Sequence, residues 1–118
     1  DLIEFNKKNV PCKNMKIDLN YSIKQDRKTI AGIESWLYFD NILHIAFLFV
    51  EEEYRQKDLG SYLLAKVEQE AKDLGAKLAH LDTFDFQASK FYPKYGYEAF
   101  GILDCPAGFK RYYFKKEL

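Results

Sequence analysis

The apolar residues of this chain keep two different rhythms. Between 15 and 50 they alternate with polar residues or run together in short blocks, and between 59 and 74 they recur at every third or fourth position. The stretch MKIDLNYSIKQD (15–26) alternates as a half-buried strand does. Asp26-Arg27 reads as a turn and KTIAGIESWLYFDN (28–41) as the next strand. Asp40-Asn41 suits a hairpin turn leading into ILHIAFLFV (42–50). That block is apolar almost throughout, which predicts a central strand covered on both faces. Then the period changes. Leu59, Leu63, Val67, Ala71 and Leu74 form one helical stripe, while Lys66, Glu68, Gln69, Lys72 and Asp73 point elsewhere. Gly75 is placed to cap the helix. AKLAHLDTF (76–84) predicts a strand, so strand, helix and strand imply a parallel pair with a right-handed crossover. Ala88, Phe91, Tyr92 and Tyr95 fall at helical spacing, which predicts a second, shorter helix over 86–95, closed by Gly96. YEAFGIL (97–103) and FKRYYFKKE (109–117), joined by DCPAG, predict an antiparallel pair. The expected fold is α/β: a mixed, twisted central sheet of about six strands with helices on both faces.

Composition narrows this to one domain over 1–118. The chain has 118 residues, 47% hydrophobic and 31% charged, a globular composition. Lysine plus arginine equals 18, as does aspartate plus glutamate, and zero net charge argues against a nucleic-acid partner. Cys12 and Cys105 make no disulfide framework, and with two distant histidines they lack zinc spacing, so no metal is expected. No apolar run is long enough to span a membrane, and DLIEFNKKNV lacks a signal-peptide layout. The expected setting is cytoplasmic, with both thiols reduced. The missing initiator Met reads as trimming or processing of the chain.

The candidate chemistry lies in YRQKDLGS, between the central strand and the long helix. The N–H groups that open a helix are unpaired, and the helix dipole places partial positive charge there, a geometry that binds phosphate. A glycine lets the backbone come close, and Arg55 and Lys57 add charge. Taken alone the signal is weak, because charged turns before helices are common.

A second stretch, FQASKFYPKYGYEAFG, adds to it. Together they resemble the GNAT family, the GCN5-related N-acetyltransferases, over residues 20–118. The family's loop reads Arg/Gln-x-x-Gly-x-Gly/Ala. Arg55 and Gly60 match its ends, and Asp58 replaces the middle glycine. In the second signature Ala88, Phe91, Tyr92, Gly96 and Tyr97 match, and Asp85 stands where an Asn often does. The resemblance implies acetyl-CoA as cofactor, with CoA as product. Its pantetheine arm would lie along the backbone of Leu48, Phe49 and Val50 like an added strand. Its pyrophosphate would sit on Gln56, Lys57, Asp58, Leu59, Gly60 and Ser61, flanked by Arg55 and Asp85. The implied reaction is direct transfer of the acetyl group to a primary amine of a small molecule or peptide.

In that scheme Tyr92 is the acid for the leaving thiolate, although a tyrosine on a short helix is most often a packing residue. Pro93 is expected to kink the chain and help aim it. Asp58 reads either as a charge that repels phosphate or as a helix N-cap, and the cap is the better fit. Glu34, Glu51, Asp82, Asp85 and His44 are candidate bases that each also suit a structural or solvated role. Asp82 stands out, because LDTFDF ends a strand where the family's sheet splays. GNAT chains usually carry a strand and one or two helices ahead of the matched region. Here NKKNVPCKN is polar with a proline, a poor helix former. The N-terminal helical region is therefore expected to be shortened, and the acceptor side open or covered by a second copy in a homodimer. A catalytically silent acyl-CoA-binding protein would carry the same loop, and an α/β module unrelated to CoA would use it as a plain turn.

Overall fold

The computed structural model describes residues 16–85 and 89–118. Seven strands form one mixed sheet: β1 (Lys16–Asp18), β2 (Tyr21–Gln25), β3 (Lys28–Tyr38), β4 (Ile42–Val50), β5 (Leu78–Phe84), β6 (Glu98–Asp104) and β7 (Lys110–Glu117). Their order is β1-β3-β4-β5-β7-β6, and β2 also pairs with β3. Only β4 and β5 are parallel, and α1 (Leu59–Asp73) connects them. The single strand expected over 15–26 is two, because the chain breaks at Leu19-Asn20 to line both ends of β3. Both predicted turns use left-handed backbone, at Asp26 and Arg27 (φ 52° and 68°) and at Asn41 (φ 65°), a region that Asp and Asn tolerate better than most residues.

One core lies between α1 and the sheet. Leu63, Leu64, Val67 and Ala71 of α1 pack with Ala31, Ile33, Leu37, Leu43, Ile45, Ala79, Leu81 and Phe114. The apolar stripe held for Leu63, Val67 and Ala71, but Leu74 is 49% exposed. It is the C-cap, already past the end of the buried face. Tyr21 of β2 donates a hydrogen bond to Glu70 and ties that strand to the helix.

The helix expected over 86–95 is a 3₁₀ turn at Tyr92–Tyr95, with 86–88, including Ala88, outside the described residues. Pro93 lacks an N–H and cannot propagate an α-helical ladder. The apolar spacing thus marked the buried face without marking a regular helix. Tyr92 and Tyr97 join the α1-side core, so among the described residues the helical cover is on one face. On the other face Phe47 is 54% exposed, so no described helix covers β4 on that side. The expected N-terminal shortening, and Cys12, concern residues 1–15, outside the described set. Among the described residues no helix is long and apolar enough to cross a membrane.

Candidate active site

The parallel pairing of β4 and β5 runs from Ile42↔Leu78 to Ile45↔Leu81 and stops. Beyond it the strands part. β5 continues on β7 as far as Phe84↔Arg111, and β4 continues on β3. A bulge marks the parting point, because Ser35 faces Ile45 while Glu34 faces Phe47, leaving Ala46 unmatched. Bulges bend a strand and raise its twist.

The gap exposes particular backbone groups. Glu51 N–H donates to Ile30 O at 2.8 Å, in register with Ala31↔Val50, Gly32↔Phe49 and Ile33↔Leu48. Antiparallel pairs alternate between bonded and non-bonded. Phe49 therefore bonds with Gly32, whereas the N–H and C=O of Leu48 and Val50 point into the gap. Arg55 Nε already donates to Val50 O at 3.0 Å, so this arginine ties the loop to the strand.

The loop begins with a 3₁₀ turn at Glu52–Tyr54, and Lys57 Nζ lies 5.5 Å over the Tyr54 ring. Gln56 and Asp58 hold left-handed backbone, φ 69° and 60°. Asp58 occupies the N-cap position of α1, but its side chain makes no capping hydrogen bond. This corrects the expected cap. The left-handed backbone departs from the extended conformation in which an N-cap side chain reaches the helix N–H groups. Its carbonyl serves instead, accepting from Tyr62 N–H and from the Ser61 hydroxyl, both at 3.0 Å. The N–H groups of Leu59, Gly60 and Ser61 precede that first helical bond and face outward from the helix start. A Cβ at Gly60 would meet Phe91 at 3.4 Å and Val50 at 3.7 Å. The loop, the central strand and the aromatic turn therefore converge on one glycine.

Next to Phe91, Tyr92 is 6% exposed. Its ring meets Phe91, Tyr97 and Phe114 at 5.1, 5.6 and 6.1 Å. Burial pushes its pKa up to about 12. Its hydroxyl has no hydrogen-bond partner among the described residues. No fully buried polar atom there is left unpaired, so that hydroxyl reaches accessible space. Tyr97 differs: it donates to Glu68 at 2.7 Å, and Lys116 donates to the other Glu68 oxygen at 2.8 Å. Burial first, then the Glu68 bond, raise the Tyr97 pKa far above the ordinary tyrosine value.

On the opposite face of the sheet, Asp82 accepts two hydrogen bonds from Arg111, at 2.8 and 3.1 Å. The Arg111 pKa is raised by that bond. Asp85 accepts from Lys110 N–H at 3.1 Å, and its own N–H donates to Lys110 O at 2.9 Å, closing the end of the β5–β7 ladder. Glu34 lies exposed on β3, opposite Phe47. The sequence reading missed His80. It pairs in register with His44, and the two Nδ1 atoms are 3.1 Å apart. The signal was present as two His, each flanked by apolar residues, in strands expected to be parallel neighbours. No cluster of three or more metal-ligating side chains occurs among the described residues.

Comparison with known proteins adds relatives to this geometry. A family model described as an acetyltransferase (GNAT) domain matches residues 19–99. Blasticidin-S acetyltransferase of Streptomyces morookaense is 38% identical over 91 residues, covering 75% of this chain and 64% of the relative. The chain thus spans a little under two thirds of the length of the curated relatives it matches. The crystal structure of an acetyltransferase from Bacillus cereus ATCC 14579 superposes with a TM-score of 0.86 at 34% identity, covering 99% of this chain and 86% of that one. An aminoglycoside 6'-N-acetyltransferase complexed with coenzyme A gives a TM-score of 0.74 at 17% identity, covering 89% and 74%. At that identity the likeness concerns the fold.

Proposed function

This chain belongs to the GNAT acetyltransferase family, and we propose that it moves an acetyl group from acetyl-CoA to a primary amine of a small molecule or peptide. The observation that carries the reading is the parted β4–β5 pair, with the N–H and C=O of Leu48 and the N–H of Val50 turned into the gap. A pantetheine arm carries amides that can bond to those groups as a strand would. The unpaired N–H groups at Leu59–Ser61 suit a pyrophosphate, and the closeness of Gly60 to Val50 and Phe91 keeps the helix start near the strand.

Each residue then has a physical task. The gap holds the thioester between the two faces of the sheet, so that the amine nitrogen meets the carbonyl at bonding geometry. Tyr92, held protonated by burial, donates to the sulfur as the C–S bond breaks. Full proton transfer to a thiolate of ordinary basicity, pKa about 8.5, is uphill from such a tyrosine. The hydroxyl therefore acts first as a hydrogen-bond donor to developing charge. Asp82, engaged by Arg111, fixes the cleft wall. The acceptor enters from the face away from α1. The outer edge of β6, with Phe100, Ile102 and Leu103 each about half exposed, is the surface for a second copy of the chain.

A catalytically silent acyl-CoA-binding protein is the second reading, favoured by the uncapped Asp58 carboxylate beside the phosphate position. One experiment separates the two: a thermal shift with acetyl-CoA, followed by free-thiol release across a panel of primary amines. A shift with release on at least one amine is expected. A shift with no release on any amine supports the silent protein, and no shift at millimolar acetyl-CoA overturns both.

A further inference from the structure

Resting on that transfer reading, we propose that His44 and His80 act as one proton acceptor, removing the proton from the acceptor amine before it attacks. The two imidazoles lie side by side on β4 and β5, with Nδ1 atoms 3.1 Å apart. Their register, His44↔His80, is the last but one before the strands part at Ile45↔Leu81. Trp36 packs against His44 at 4.7 Å, and a cavity of about 270 Å³ lined by Trp36, Tyr38, Asp40, Ile42 and both histidines opens beside them. Tyr92 belongs to the core on the α1 side. Proton acceptor and sulfur-facing donor thus stand on opposite faces of the sheet, with the gap between them.

The pair is built for one proton. At 3.1 Å one Nδ1 must carry hydrogen and the other must not. Adding a proton at a free Nε2 keeps that bond and makes it charge-assisted. Adding a second would set two N–H groups and two positive charges against each other. Burial, and then the charge of His80, lower the His44 pKa from its ordinary value, against an opposing pull from Asp82, which favours a neutral His44 ring that can accept a proton. The charged groups around it are Asp40 at the cavity, Asp82 two residues along β5, Lys115 opposite His80 on β7, and Lys16 over Trp36. Asp82 is already neutralised by Arg111.

The step balances. The ammonium gives one proton to a free imidazole nitrogen of the pair, and the neutral nitrogen attacks the thioester carbonyl. As the C–S bond breaks, the surplus proton of the new amide nitrogen passes to the sulfur, while the Tyr92 hydroxyl donates a hydrogen bond to that sulfur and stays protonated. The pair then releases its proton to water through the cavity. The net products are the acetylated amine, free CoA thiol and one proton.

These are the only two histidines in the chain, so nitrogen NMR of labelled imidazole reads the pair directly. The expected result between pH 8 and 5 is uptake of one proton shared by both rings. Two independent titrations near the ordinary histidine value overturn the proposal. Kinetics give the second measurement. His44→Gln and His80→Gln should each lower kcat/KM by ~10²-fold or more near pH 7, with the loss shrinking as pH approaches that of a free primary amine, about 10. Their thermal shift with acetyl-CoA should match the parent's. A pH profile of unchanged shape in both variants overturns the assignment and leaves acetyl transfer standing. A parent that neither shifts with acetyl-CoA nor releases thiol overturns the transfer reading itself, and the catalytic role of the pair with it.

Discussion

At the scale of single residues, the phosphate-facing loop carries a conflict between backbone and side chain. Gln56 and Asp58 both sit at φ near +60°, where a glycine is at ease and an L side chain is not. Asp58→Gly removes that strain without losing a capping bond, because none is made. The variant should gain about 1 kcal/mol in denaturant unfolding, and it should bind acetyl-CoA more tightly, since a carboxylate leaves the phosphate position. Weaker binding would show that the carboxylate contributes to the site. The sequence made the substitution legible but not its conformation, since Asp before a helix ordinarily means a cap. Tyr92 tests the chemistry. Phe keeps the ring contacts with Tyr97 and Phe114 and removes a hydroxyl that has no partner among the described residues. Tyr92→Phe should therefore melt like the parent, while turnover falls ~10²–10⁴-fold, about 3–5 kcal/mol of barrier. The Michaelis constant for acetyl-CoA should move much less. Unchanged turnover in a folded variant removes Tyr92 from the mechanism.

At the scale of elements, regular periodicity was readable and irregular geometry was not. The boundaries of β4 are those of its apolar block, and α1 begins where the period changes. The 3₁₀ turn at Tyr92–Tyr95 escaped because apolar spacing reports which side is buried, not which hydrogen bonds form. The bulge at Ala46 also left no mark, since an extra apolar residue in an apolar strand looks like any other. Yet that bulge lies where β4 leaves β5, and it sets which groups meet the gap. Hydrogen exchange measures this residue by residue. Phe49 N–H, bonded to Gly32, should be protected with or without ligand. Leu48 and Val50 N–H should exchange faster in the free protein and slow on adding acetyl-CoA. Equal protection of all three without ligand would mean that the gap is closed and the alternation misassigned.

At the scale of the whole molecule, the mixed α/β sheet followed from the order of patterns, whereas its covering did not. An apolar strand was taken to need cover on both faces, but the described residues place α1 and the aromatic turn on one. The sheet is also unprotected at its last strand. β6 ends the strand order, so its outer backbone groups have no partner strand among the described residues, and Phe100, Ile102 and Leu103 are 53%, 56% and 49% exposed. An apolar edge without lysine or proline is a template for another strand. Two copies of β6 paired antiparallel about Gly101 would bring Glu98 opposite Asp104 of the second copy. Those acids already have lysines across the ladder, Lys115 and Lys110 on β7, which reduces the repulsion. The expected state is a dimer joined through this edge. Ile102→Lys should convert it to a monomer in sedimentation velocity, because a charge at a shared apolar edge must be desolvated or exposed. The side chain is more than half exposed in the single chain, so unfolding of the monomer should change by no more than about 0.5 kcal/mol. A parent that sediments as a monomer at tens of micromolar, or a variant that remains dimeric, would show that this edge joins no second copy.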